Sequence, residues 1–329
     1  MSSSLPALHL AKTRLAAIQL GQIGSDKAFN LKHAREAVLK AASHGPLSGA
    51  DMVMLPECFN SPYSVQQFRK YSETLPGVFE KVKNAGSAKT VDGEKSWGID
   101  NKDNVHAIEP TQELLEASET VRMLSSVAKE AGVVLVGGSM PERDSDDHIY
   151  NTSLVFDKQG RIIAAHRKLH LFNVDFPGKM TFQESETLTP GTGITLFDCE
   201  FGRFGLGICY DMRFPEIAMV TGRLGAGAML YPGAFNTTTG PLAWELLLRA
   251  RATDNQIYTI GCSPARPTDG YPAWGHSTVV DPLGQVVATC AEEETIIWAQ
   301  LDPERVKEVR KLVPVSIQRR FDAYKDVAK

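Results

Sequence analysis

Three residues of types that carry covalent catalysis stand at the ends of apolar runs. They are Cys209 in FGRFGLGICYDMRFPE, Glu57 in DMVMLPECFNSPY and Lys168 in RIIAAHRKLHLF. A cysteine becomes a nucleophile when a base takes its proton or a cation favours the thiolate. A carboxylate shielded by apolar neighbours has its proton affinity raised and becomes a base near neutrality. A lysine in a cleft is a fixed cation for a developing oxyanion. Each residue also has a plainer reading: a small buried core thiol, a solvent-facing start of a loop, and part of a surface HRK cluster. His166 and His170 flank the lysine, but neither HExxH nor any Cys/His ligand spacing is present. Both are therefore taken as structural or supporting imidazoles rather than metal ligands.

These residues need strands to hold them. Apolar runs predict strands over residues 14–19, 52–55, 133–137, 151–156, 162–166, 204–208, 228–231, 257–262, 277–280 and 296–300. Helical periodicity falls on residues 30–42, 113–131, 216–224 and 241–255, with a shorter helix after Asp302. VVLVGG and AMLYPG are apolar without alternation, which suits a sheet buried on both faces. Strands and helices alternate along the whole length without a linker, so one α/β domain of layered sheets and helices is expected. At Cys209 a strand gives way to a turn and then to a helix opening at Pro215, so the sulfur projects into a cleft. The backbone N–H of Tyr210, next along that turn, is placed to face an oxyanion. Residues 78–110 are polar and long for a compact domain, and are read as an inserted loop. Residues 1–12 are read as a flexible tail, 13–329 as the domain, and 314–329 as a C-terminal arm within it.

A net charge of −4 leaves no basic surface for nucleic acid or anionic membrane. No run of 18 apolar residues occurs, so no membrane-spanning helix is expected. The first 14 residues hold Lys12 and Arg14 and no acid, but Pro6 and their shortness favour a tail over a transit peptide. Five cysteines without a CxxC pair suit free thiols in a reducing compartment. A cytoplasmic location is expected, with a mitochondrial fraction as the alternative.

Taken together and in order, LPECFNSPY, HRKLHLF and GICYDMRFPE resemble the nitrilase (carbon–nitrogen hydrolase) superfamily. TFQESETLTPG matches the stretch where that family has a second glutamate, here Glu184. YPGAFNTTTGP, WELLLRARATDNQIY and WGHSTVVDPLG resemble its later segments, so the likeness spans nearly the whole chain. FNSPY, FPGKMTFQESETL and PGAFNTTTGP are most similar to the ω-amidase branch; residues 78–110 are longer than the corresponding loop there. The resemblance implies a four-layer αββα sandwich and a Glu57–Lys168–Cys209 site with Glu184 beside it. It also implies hydrolysis of the terminal amide of 2-oxo acids such as α-ketoglutaramate and α-ketosuccinamate through a thioester, without metal or organic cofactor. A small amide bearing a carboxylate would be the partner, and a homodimer the assembly. Arg213, Thr238 in its threonine run, and Tyr63 are candidate substrate contacts, with an Arg213–Glu216 ion pair as the alternative for the arginine. Rival readings are an amidase for deaminated glutathione, an N-carbamoyl or nitrile hydrolase, a silent ligand-binding or scaffolding member, and a thiol redox sensor.

Overall fold

Apolar strands without alternation need cover on both faces, and the chain supplies it by stacking two sheets and flanking each with helices. The computed structural model describes residues 7–82, 88–91, 94–97 and 107–324. The first sheet has the order Thr295–Leu301, Thr13–Gln19, Met52–Met54, Val134–Val136, Ile149–Phe156, Met140–Arg143 and Glu73–Thr74. Ile162–Arg167 also pairs with Ile149–Phe156, antiparallel, with Thr152 opposite Arg167. The second sheet runs Thr195–Cys199, Gly202–Leu206, Ala228–Pro232, Tyr258–Cys262, Thr278–Val280 and Val286–Thr289.

Alternate residues of each strand serve two cores, as the two-residue period of a strand requires. Ala16 and Ile18 pack beneath the helices Lys27–Ser43 and Glu119–Ala131, while Leu15 and Ala17 face Phe204, Leu206 and Leu230 of the second sheet. On the far side, Met229 and Tyr231 meet Ile217 of Pro215–Arg223 and Trp244 and Leu248 of Gly240–Asn255. The layers are helix, sheet, sheet, helix, the expected αββα sandwich.

Several boundaries differ from the sequence reading. The helix predicted over 113–131 is two, Gln112–Ala117 and Glu119–Ala131, broken at Ser118. The Ser118 hydroxyl accepts from Val121 N–H at 3.0 Å and donates to the buried Glu73, so it caps the second helix. Edge strands Thr195–Cys199 and Val286–Thr289 and the hairpin Asn173–Phe176/Met180–Gln183 carry weaker apolar signals and went unpredicted. Within residues 1–12, read as a tail, His9 N–H bonds Gly225 O at 3.1 Å and Ala11 N–H bonds Phe201 O at 2.7 Å. Within 78–110, read as an insert, Val78 is buried in the first core and Ile108 pairs with Ile162. Ala88–Val91 and Glu94–Trp97 form an antiparallel hairpin there, and residues 83–87, 92–93 and 98–106 lie outside the described residues. In the C-terminal arm Ser316 donates to Gln256 at 3.1 Å, and the Phe321 ring packs 3.8 Å from the Arg223 guanidinium. No helix among the described residues is long and apolar enough to cross a membrane.

Candidate active site

Three strand ends and one turn converge at the same edge of the two sheets. Met52–Met54 continues through Leu55, whose N–H reaches Val136 O at 3.0 Å, and then delivers Pro56 and Glu57. Gly138 lies directly behind with φ +61°; a Cβ there would stand 2.2 Å from Pro56 O, so only glycine lets the chains approach this closely. Lys168 follows Ile162–Arg167, and its N–H bonds Asn151 O at 2.9 Å. Cys209 comes from the second sheet. It opens a 3₁₀ turn, Cys209–Arg213, with a left-handed φ of +49°. Glu184 is carried by another 3₁₀ turn after the hairpin, where its N–H bonds Phe172 O at 3.2 Å.

The four side chains form one buried cluster, none more than 3% exposed. Lys168 Nζ donates to Glu57 Oε1 at 3.0 Å and to Glu184 Oε1 at 2.9 Å. Glu57 further accepts from Asn151 Nδ2 at 2.9 Å, from Ala234 N–H at 2.7 Å, and from the Cys209 thiol. Glu184 accepts from the Tyr63 hydroxyl at 2.5 Å and from Phe172 N–H at 2.6 Å. Burial raises the Glu57 carboxyl above the ordinary carboxylate range; Lys168 opposes this and Glu184 adds to it. Burial and the Glu57 charge push the Cys209 thiol well above its usual value, with Lys168 opposing. The resting sulfur is thus a thiol beside a base. Burial works against the Lys168 charge, but Glu184 and Glu57 outweigh it and lift the ammonium well above its usual value. A constant cation, a proton acceptor and a thiol therefore share one buried cluster.

The Cys209 turn is pinned by a residue that sequence reasoning missed. Asp211 is fully buried. Its Oδ2 accepts from Ile208 N–H at 2.9 Å and His166 Nε2 at 3.1 Å, and its Oδ1 from His170 N–H at 2.9 Å and Nδ1 at 2.8 Å. A carboxylate only accepts, so the facing nitrogens of both imidazoles carry protons. Burial alone would raise Asp211; the donors from His166 and His170 and the Ile208 N–H hold it well below the ordinary carboxylate range. His166 and His170 are thus the supporting imidazoles expected, joining the cysteine turn to the lysine strand.

Asn151 was also missed, although the DKQG turn offered a signal. Pairing the strands on either side of that turn places Asn151 across from Lys168.

The remaining candidates are brought together unevenly. Tyr63 lies at the cluster, but its hydroxyl is engaged by Glu184, and its ring packs 4.5 Å from Tyr271 and 5.7 Å from Phe182. Arg213 does not pair with Glu216 and has no carboxylate partner among the described residues. Its guanidinium lies over the rings of Tyr210 and Phe235, at 5.6 and 5.2 Å, and its buried Nε is unpartnered. Tyr210 N–H stands in the first turn of the 3₁₀ segment, where backbone donors have no acceptor within the helix. Thr238 belongs to a turn organised by Asn236, whose Oδ1 accepts from the N–H groups of Thr238 at 3.0 Å and Thr239 at 2.9 Å.

Comparison with known proteins points the same way. A family model described as carbon–nitrogen hydrolase matches residues 14–311. The chain is 47% identical over 318 residues to omega-amidase NIT3 of Saccharomyces cerevisiae, covering 96% of each chain. It is 44% identical over 312 residues to omega-amidase NIT2 of Homo sapiens, covering 94% of this chain and 96% of that one. Among solved structures it superposes on Saccharomyces cerevisiae Nit3, described as a member of branch 10 of the nitrilase superfamily. The TM-score is 0.77 at 44% identity, over 95% of this chain and 98% of that one.

Proposed function

The chain belongs to the carbon–nitrogen hydrolase family, and from that premise we propose that it is an ω-amidase working through a thioester on Cys209. Its substrates are the terminal amides of small 2-oxo acids, α-ketoglutaramate and α-ketosuccinamate, and its products the dicarboxylate and ammonia. The observation that carries this reading is the buried cluster of thiol, two carboxylates and ammonium. Its support is the near full-length likeness to proteins named omega-amidase.

Cys209 Sγ attacks the amide carbon while its proton passes to Glu57, so no free thiolate has to be maintained in the buried cluster. The carbonyl oxygen, now negative, is held by Lys168 Nζ and the Tyr210 N–H. Collapse of the tetrahedral adduct returns the Glu57 proton to nitrogen, and ammonia leaves. Water then gives a proton to Glu57 and attacks the thioester carbon. When the C–S bond breaks the proton returns to sulfur, restoring the thiol and releasing the acid. Glu184 orients Lys168 and is itself oriented by Tyr63. The substrate carboxylate is met by Arg213, whose unpartnered Nε supports the role, with Thr238 alongside. No step calls for a metal or an organic cofactor.

The protein is also read as a homodimer paired through Pro215–Arg223 and the C-terminal arm. The exposed Ile317, Phe321 and Tyr324 of that arm, with Leu312 and Val313 just before it, support this, since they leave a run of apolar surface there.

The test is ammonia release by wild type and Cys209→Ala across α-ketoglutaramate, α-ketosuccinamate, deaminated glutathione, an N-carbamoyl amino acid and a nitrile. The 2-oxo acid amides should turn over fastest. Cys209→Ala should lose at least about 10³-fold in kcat. Near-normal release from the variant would overturn the thioester, and faster turnover of another class would overturn the substrate.

A further inference from the structure

Buried amide side chains normally satisfy both ends, so one that satisfies a single end beside a reactive cluster calls for a reason. Asn151 is such a residue. It is 2% exposed; its Nδ2 donates to Glu57 Oε1 at 2.9 Å, while its buried Oδ1 meets no donor among the described residues. Turning the amide over would aim Oδ1 at a carboxylate oxygen, so the contact with Glu57 sets its orientation. The same residue holds the lysine by its backbone, with Asn151 O accepting from Lys168 N–H at 2.9 Å. One strand position thus touches the base through its side chain and the cation through its main chain.

We propose that Asn151 is a positioning residue that keeps the Glu57 carboxylate in its basic form and turned toward Cys209. Among the described residues, Glu57 Oε1 accepts from Lys168 Nζ and from Asn151 Nδ2. Lys168 also serves Glu184 and is needed at the oxyanion. The Asn151 side chain is a neutral donor at every pH, and among the described residues its amide serves Glu57 alone. Without it the carboxylate binds its proton more tightly and closes onto the lysine.

The groups facing Glu57 are Lys168, Glu184, Cys209 and the neighbouring Cys58, Tyr63 and Tyr271. Burial raises the titration of Cys58, Tyr63 and Tyr271 well above their ordinary values, and Lys168 stays charged. The acid-side limb of any Cys209 reaction therefore follows Glu57, the carboxylate in contact with the thiol. Asn151 donates to Glu57, whereas Glu184 is served by Tyr63 and Phe172.

This rests on the proposed thiol chemistry, and its test is independent of the amide substrate. Asn151→Leu keeps the number and branching of side-chain heavy atoms and removes both the donor and the orphaned acceptor, so the melting temperature should hold or rise. Alkylation of Cys209 by iodoacetamide, followed by peptide mass mapping across pH, should show its acid limb raised by about one pH unit. Where wild type hydrolyses an amide, kcat/KM for it should fall about 10- to 100-fold with the same limb shift. Asn151→Asp, which donates only when protonated, should recover alkylation in the acid range alone. A shifted alkylation limb with no amide hydrolysed by wild type would sink the ω-amidase reading and leave this one standing. An unmoved limb in Asn151→Leu, folded as judged by melting, would make Asn151 a packing residue and overturn the proposal.

Discussion

Cys209 is one of five free thiols, and what separates it from the others is what stands against its sulfur. Cys199 and Cys290 are more exposed, yet burial still pushes them up to about 12 and about 11, with no side-chain base hydrogen-bonded to either sulfur among the described residues. At Cys209 the proton has Glu57 to go to. The reaction needs Glu57 ionised, and burial has raised its carboxyl. Activity should accordingly fall as pH drops through that raised value. A pH profile of kcat/KM should place the acid limb above the ordinary glutamate value of about 4.3; a limb at or below it would remove Glu57 as base. Arg213 invites the second prediction at this scale. Arg213→Met should raise KM for a keto-acid amide about 10- to 100-fold, the loss of a charge-assisted bond, and spare a neutral amide of similar size. Equal loss on both amides would return the arginine to a packing role. The residue types were legible in the sequence because chemistry travels with them. Tyr63 shows the limit: its presence near the site was readable, but not that its hydroxyl serves Glu184, 121 residues away on the turn after a hairpin.

Strands and turns carry these residues, and the most sensitive of them is the turn at Cys209. Its left-handed backbone is held where Asp211 gathers donors from Ile208, His166 and His170. Asp211→Asn replaces one acceptor oxygen with a donor and leaves buried N–H groups facing it. It should lower stability by about 2–4 kcal/mol in urea unfolding and reduce kcat more than it changes KM. Since the folded Asp211 lies below its unfolded value, its stabilising effect is fully present above about pH 3.9 and is lost as pH falls further. The gap in stability between wild type and variant should therefore narrow below pH 4. A gap constant across that range would mean that the carboxylate charge contributes nothing. Ten apolar runs announced strands at this scale, because fully buried strands are apolar throughout. Edge strands such as Thr195–Cys199 escaped because an edge is only partly covered. The break at Ser118 escaped because helical periodicity runs across it; the serine oxygen caps Val121 N–H while its hydroxyl donates to Glu73, a partner 45 residues away.

At the scale of the whole molecule, the apolar side chains along the C-terminal arm lead to a prediction about assembly. Light scattering should give twice the 36.0 kDa chain mass, and Phe321→Asp should shift the population toward the single chain. A monomer at micromolar concentration would end the pairing proposal. The arm is anchored before any partner arrives, with Arg223 against Phe321 and Arg319 bonded to Asp254 O. By itself the sequence determined the layered α/β class, the strand ends that present Glu57, Lys168 and Cys209, and, through resemblance, the second glutamate. Each of these follows from residue type, local periodicity and short segments. Only the tertiary structure decided that a base and a cation from one sheet meet a thiol from the other. It also decided that Asn151 and Asp211 hold them, and that Arg213 stands without a carboxylate partner among the described residues. Those outcomes depend on strand register and on sheets packed face to face, which bring residues more than a hundred positions apart within 3 Å and exclude the water that would screen them.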